Sequence, residues 1–300
     1  MMATMRIVVT GTKGQVARSL IEAGRECGVE VVAVGRPDLD LADPRTVAPA
    51  IAAARPDVLV SAAAYTNSER AEIEPDVAQI VNADSAGALA ACARNLGISI
   101  IHLSTDYVFD GAKPAPYRET DPTAPLSSYG RSKVAGELAV AAAHPEHVIL
   151  RVCWIYSPFG RNFVKTMLKL AGERDEIGVV TDQLGNPTAA ADIAAGILAV
   201  AGNLVAERGG TERHGTFHMA AEGATTWAEF AETIFSYLAE RGGPTARVAP
   251  ITTAEFPSRV QRPANSQFDC SKIAAVHGVV LPPWPVSLRT CLDRLLEQRP

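Results

Sequence analysis

The sequence predicts an α/β protein: a doubly wound parallel sheet with a smaller α/β lobe following it. Three observations carry this reading. Short apolar, β-branched runs alternate with helical stretches from residue 6 to about 152, the pattern of βαβ units joined by right-handed crossovers. The first run breaks into a glycine turn that leads directly into a helix, as at a phosphate-binding helix N-terminus. Gly11, Arg36, Ala62, Thr105 and Trp154 all fall where these runs end, and ligands of such sheets lie beyond the carboxyl ends of the strands.

Taken in order, Arg6 to Thr10 is the first strand. Gly11-Thr12-Lys13-Gly14-Gln15-Val16-Ala17 then opens a helix through Ala23. Glycines here let backbone N–H groups approach a dinucleotide pyrophosphate, and the small Ala17 permits close helix–strand packing. Glu30 to Val34 is the second strand. An NAD site usually has an acid at this strand's end, bonded to the ribose hydroxyls. Gly35-Arg36-Pro37 stands there instead, and a guanidinium pairs well with a 2′-phosphate, so Arg36 points to NADPH. NADH stays open if Arg36 is simply solvated and Asp38 or Asp40 serves the ribose. Asp40 and Leu41 start the next crossover, in position to flank an adenine. Asp57 to Ser61 is the third strand, leaving through Ala62-Ala63-Ala64-Tyr65-Thr66. These small residues either let the backbone lie against the cofactor or merely make a tight exit. Ala78 to Leu96, with Asn82 inside, reads as one long helix closed by Gly97. Residues 98–103 and 148–153 are the fourth and fifth strands, the latter followed by Trp154-Ile155-Tyr156.

Beyond this point the expected elements are helices at 160–172, 189–200, 226–240 and 286–298, strands at 178–182 and 216–220, and a loop at 202–215, while residues 244–268 hold several Pro, Arg and Ser. A Rossmann-type domain is therefore assigned to residues 1–155. Residues 156–300 form mainly a lobe over the cleft, with some segments returning to the first domain.

The chemistry concentrates between Thr105 and Lys133. Thr105 follows the fourth strand. Ser128 to Ala143 reads as a helix, on which Tyr129 and Lys133, four apart, share a face. A phenol has an ordinary pKa near ~10, and a neighbouring ammonium lowers it toward a working value for proton transfer. A hydroxyl at Thr105 can hydrogen-bond an oxygen where negative charge develops. Tyr-x-x-x-Lys alone also occurs on unrelated helices; the surrounding motifs give it meaning.

The bulk properties narrow the class. Among 300 residues, 47% are apolar and 20% charged, with net charge −5, which argues against a nucleic-acid binder. The five cysteines, Cys27, Cys92, Cys153, Cys270 and Cys291, are scattered without metal spacing and read as reduced thiols. No run of 18 apolar residues and no signal core is present, so no membrane association and a cytoplasmic location are expected. His214 and His218 straddle a loop–strand junction without a third ligand, so no zinc site is expected.

These motifs resemble the extended short-chain dehydrogenase/reductases, and among them the dTDP-4-dehydrorhamnose reductase family. The likeness runs almost end to end. It includes the glycine turn, Ala62 to Thr66, Ser104-Thr105-Asp106-Tyr107-Val108-Phe109-Asp110-Gly111, Tyr129-Gly130-x-x-Lys133 and Trp154-Ile155-Tyr156. It continues through Asn162 to Met167, Asp182-Gln183-x-Gly185-x-Pro187-Thr188 and Arg262-Pro263-Ala264-Asn265-Ser266. The resemblance implies hydride transfer from NADPH to C4 of a nucleotide-linked 4-keto-6-deoxy sugar. Tyr129 would protonate the alkoxide, Lys133 would tune Tyr129 and hold the ribose, and Thr105 would bind the carbonyl oxygen. By the same likeness Thr66, Asp106, Trp154 and Asn162 face the sugar, and Arg262 the diphosphate. Each has a plainer alternative: core packing for Trp154, loop caps for Asp106 and Thr66, a helix cap for Asn162, a surface ion pair for Arg262.

Some members of the family dimerise through metal-bridged glutamates. Ser19, Ala191 and Arg294 stand at the corresponding places, so no structural magnesium and no metal-bridged dimer are expected. Asn67-Ser68-Glu69-Arg70 also departs from the family pattern. A dehydratase is disfavoured because Asp106 is followed by Tyr107 rather than by a second carboxylate. A nucleotide-sugar epimerase and an NADP-binding regulatory subunit without turnover remain the competing functions.

Overall fold

The computed structural model describes residues 5–206 and 211–297. The first half runs β1 (Arg6–Thr10), α1 (Gln15–Cys27), β2 (Glu30–Val34), α2 (Val47–Ala54), β3 (Val58–Ser61), α3 (Ser68–Ala71), α4 (Pro75–Gln79), α5 (Ser85–Leu96), β4 (Ser99–Thr105), α6 (Ser128–Ala143) and β5 (His147–Val152). The second runs β6 (Ile155–Tyr156), α7 (Phe163–Ala171), β7 (Glu176–Val180), β8 (Leu184–Gly185), β9 (Thr188–Ala189), α8 (Ala190–Ala206), β10 (Gly215–His218), β11 (Thr225–Thr226), α9 (Trp227–Ala239), β12 (Arg247–Ile251), α10 (Ser271–His277) and α11 (Trp284–Glu297).

The main sheet has six parallel strands in the order β10-β5-β4-β3-β1-β2. The chain leaves β1 to one side for β2 and to the other for β3. The switch point, where ligands of open α/β sheets bind, therefore lies between β1 and β3. The sheet's strands are mainly apolar because helices cover both faces. One core lies between the sheet and α1, α8 and α10, with Ile7, Leu20, Ile193, Ile197 and Phe217 all fully buried. Burying such side chains is worth about 1.5–3 kcal/mol each. The opposite core joins Leu59, Ile100 and Ile149 to Ile51 of α2 and Leu89 of α5. Thus β10 joins the six-stranded sheet, and α8 and α10, also late in the chain, pack against it.

The smaller lobe is built on the β7–β12 pair and on α7, α9 and α11, around Phe230, Ile234, Leu238 and Leu292. Thr226 and Glu229 form a capping box that starts α9.

Several elements differ from expectation for identifiable reasons. The long helix at 78–96 is broken by a π turn at Ile80–Asp84. The turn serves Asn82, whose side chain accepts from Tyr65 N (2.8 Å) and donates to Tyr65 O (3.1 Å) and Ser132 Oγ (2.9 Å). A regular helix optimises its own ladder; here a buried amide pins the exit of β3. The strand expected at 178–182 sits at Glu176–Val180, because its register is set by β12, which sequence reading left inside an irregular segment. The fourth strand, expected at 98–103, runs on to Thr105, which stands at its carboxyl end as expected. The Ala-rich helix runs on to Ala206, and α10 was not anticipated. Residues 207–210 of the expected loop and residue 298 of the expected last helix lie outside the described residues.

Candidate active site

A cleft of about 1150 Å³ opens along the carboxyl ends of the strands. Its lining includes Gly11, Gly14, Gln15, Val16, Arg36, Asp40, Leu41, Ala62, Ala63, Ala64, Tyr65, Thr66, Tyr129 and Lys133. Drug-sized ligands occupy roughly 300–1,000 Å³, so the volume suits a dinucleotide.

The cleft's floor follows from close backbone approach. Gly11 has φ +89°, and a Cβ there would come within 3.1 Å of the Ala63 Cβ. Thr10 Oγ1 accepts from Ala62 N at 3.0 Å and Ala63 N at 2.9 Å, tying the first strand to the third beside the glycine turn. Arg36 is exposed at the end of β2 and lines the cleft; Asp38 does not. Asp40 lines it too, but its Oδ1 accepts from Ala42 N at 3.0 Å. Sequence reading missed Lys13, Arg70 and Arg161, cations that also line the cleft. Lys13 was visible inside the glycine motif; the other two arrive from α3 and the segment before α7. Ser104 Oγ is buried without a protein partner and lines the same cleft, the condition of a hydroxyl awaiting a ligand group. The residues present therefore fit a phosphorylated dinucleotide.

The chemistry sits where α6 meets β4. Ser127 caps α6 by accepting from Gly130 N at 3.1 Å. A Cβ at Gly130 would lie 2.2 Å from Tyr107 O, and one at Gly136 would lie 2.1 Å from Asn82 O. These two glycines let α6 settle against the Thr105 turn and the π turn, which places Tyr129 beside Thr105. The half-buried Tyr129 phenol lies close enough to the Thr105 hydroxyl to be acted on by it. Burial raises its pKa above the ordinary phenol value, and the Thr105 hydroxyl opposes that rise.

On the same helix Lys133 is held at the end of β4: its Nζ donates to Leu103 O at 2.7 Å and meets His102 Nε2 at 3.3 Å. The long lysine stem carries the charge past one helical turn to the end of β4. Burial brings the Lys133 pKa down to about 8, with Glu137 working the other way.

Thr105 Oγ1 donates to Asp106 Oδ1 at 3.0 Å, and Ser266 Oγ donates to Asp106 Oδ2 at 2.6 Å. Burial raises Asp106 to about 6 against these two bonds. Tyr107, edge-on to Tyr129, is pushed up to about 12 by burial and by Asp106.

The remaining sugar-side residues divide. Trp154, at φ +45°, stacks on Trp227 with ring centroids 3.5 Å apart, packed against Gly185. Thr66 is exposed at the cleft. Arg262 pairs with Glu69 at 3.4 Å and lies near the Tyr107 phenol. Asn162 is engaged elsewhere. Its Oδ1 caps α7 by accepting from Lys165 N at 3.1 Å, and its Nδ2 donates to Gln15 Oε1 at 2.9 Å and Ser157 O at 2.8 Å. The helix-cap alternative describes this geometry. Thr105, Asp106, Trp154, Asn162 and Arg262 do not line the cleft itself.

A glycine turn at the switch point of a parallel sheet, with a Thr–Tyr–Lys group across the cleft, defines an NAD(P)-dependent oxidoreductase of the extended short-chain dehydrogenase/reductase type. The family model described as "RmlD substrate binding domain" matches residues 5–297. The chain belongs to the dTDP-4-dehydrorhamnose reductase family. It is 48% identical to dTDP-4-dehydrorhamnose reductase of Sinorhizobium fredii, over 97% of this chain and 98% of that protein. It is 41% identical to the Burkholderia thailandensis reductase, over 98% of this chain and 100% of that protein. The solved structure of the Bacillus anthracis reductase in complex with NADP is similar with TM-score 0.88 and 34% identity, covering 97% of this chain and 99% of that one.

Proposed function

We propose that this protein reduces the C4 keto group of dTDP-4-dehydrorhamnose with NADPH, giving dTDP-rhamnose. The observation that carries this is the Tyr129 phenol set beside Thr105, with the buried Lys133 one helical turn on, at the edge of a cleft built for a dinucleotide. Bound NADPH supplies the hydride. Gly11, Gly14, Ala62 and Ala63 would hold its diphosphate and backbone-facing side, and Arg36 its 2′-phosphate.

Tyr129 O–H gives its proton to the oxygen on C4 as charge develops there. Thr105 steadies the same oxygen. Its single hydroxyl proton now goes to Asp106, so carbonyl binding redirects it, which the raised pKa of Asp106 eases. The Lys133 charge favours the transient phenolate, which regains its proton from solvent. Arg262 would meet the sugar-linked diphosphate on exchanging Glu69 for it. Trp154 and Thr66 would border the sugar.

We further infer a cytoplasmic protein that does not form the metal-bridged dimer. Among the described residues no helix is long and apolar enough to cross a membrane. Arg294 is engaged with Glu22 at 2.6 Å and Ser19 is buried, a poor arrangement for a cation site.

Turnover of dTDP-4-dehydrorhamnose with NADPH, with product configuration assigned by NMR, tests the reading. One NADPH consumed per product supports reduction; product without NADPH consumption identifies an epimerase. Undiminished function of Tyr129→Phe in the cell identifies a binding subunit.

A further inference from the structure

An ammonium carries three N–H donors and no acceptor. Lys133 gives one to Leu103 O and one to His102 Nε2, at 2.7 and 3.3 Å. The third is left for the cleft that Lys133 lines. Because the ammonium only donates, Nε2 must accept, and the imidazole proton belongs on Nδ1. That nitrogen lies 3.0 Å from Ser61 Oγ. Ser61 and His102 are register partners on β3 and β4, so the sheet itself sets their contact. All three side chains are buried, with Lys133 and His102 each 2% exposed and Ser61 3%.

We propose that His102 is a positioning residue for this site: its Nε2, kept as an acceptor by Ser61, holds Lys133 charged and turns its remaining N–H toward the cleft. No motif assigns His102 this role, and within an apolar strand it reads as ordinary core. It suits the task because it stays neutral: burial, Lys133 and His147 hold its pKa well below the usual histidine value. The other titratable or charged groups around the pair are Glu137 and Tyr129 on α6, His147 on β5, and Arg151 on β5, which Glu137 neutralises. Of these only Glu137 favours the lysine charge, and its own charge is shared with Arg151.

The proposal rests on the reductase reading only for the use made of the charge. Its test needs neither cofactor nor substrate, so failure here leaves that reading standing. In the full-length protein, 13Cε NMR follows the Lys133 titration, with the resonance assigned by its absence in Lys133→Met. The wild type titrates at about 8. His102→Phe keeps the bulk and removes the acceptor, and the titration falls by about 1 pH unit, the worth of one hydrogen bond to a buried charge. His102→Gln, whose amide oxygen can accept, restores at least half of that shift. Ser61→Ala frees the tautomer and shifts the titration in the same direction by less; it decides the matter if His102→Phe does not fold. An unchanged titration in both His102→Phe and Ser61→Ala, or no recovery in His102→Gln, overturns the proposal.

Discussion

The buried ion pair behind the site offers the sharpest quantitative test. Arg151 on β5 donates through Nε to Glu137 Oε1 at 2.9 Å and through Nη2 to Oε2 at 2.6 Å. Their side chains are only 6% and 8% exposed. Glu137 lies one turn beyond Lys133, so the pair fastens α6, and with it Tyr129 and Lys133, to the sheet. Glu137→Met leaves a guanidinium buried without its counter-ion, and breaking such a pair costs about 3–5 kcal/mol. The remaining polar contact of Arg151, His218 Nε2 at 3.4 Å, is a weak substitute, and His218, held to about 3 by burial, stays neutral. That modest compensation places the expected loss near ~3 kcal/mol, the low end of the range for a broken buried pair. With m near ~3 kcal/mol/M, the urea midpoint falls by about 1 M, read by circular dichroism. The double variant Glu137→Met with Arg151→Met removes both charges and recovers at least half of the loss, since an apolar replacement of a buried pair is often neutral. A single-variant loss below about 1 kcal/mol, or a double variant no more stable than the single, would refute the argument that an uncompensated charge is the cause.

Other outcomes follow from the same geometry. Tyr129→Phe removes the proton donor and is expected to lower kcat by about 10²–10⁴ with NADPH binding largely kept; a loss under tenfold in single-turnover measurements contradicts the assigned role. The Lys133 pKa is depressed, so its charge is complete at lower pH and disappears as pH rises through about 8. The kcat/KM profile should therefore fall on the alkaline side near that value, and a flat profile to pH 10 argues against a need for the charge. Arg36→Ala should weaken NADPH by roughly 1.5–3 kcal/mol, one charge-assisted contact, while sparing NADH; calorimetry showing equal losses for both would remove Arg36 from the 2′-phosphate. Size-exclusion chromatography with light scattering should give the same mass with and without EDTA, and a chelator-dependent change would restore the metal-bridged dimer.

How far the sequence went is best seen at particular residues. Alternation of apolar runs with helices marked all of β1 to β5, because period and composition are local properties. The bounds of α6 were also readable, since Ser127, the cap, and Ala143, before His144 and Pro145, are local signals. Gly11, Gly14, Gln15 and Ala62 to Tyr65 were legible as cleft-lining because glycine turns and strand exits are tied to backbone geometry. Only the tertiary structure decided where side chains point. It turned Asn162 onto Gln15 and its own helix, turned Lys133 toward His102 and Leu103, and brought Arg70 and Arg161 to the cleft. It also paired β7 with β12 across an interval that no local pattern spans. Local conformation follows from neighbours in the chain, whereas the partner of a long polar side chain depends on which distant strand or helix packing brings within about 3 Å, the reach of a hydrogen bond.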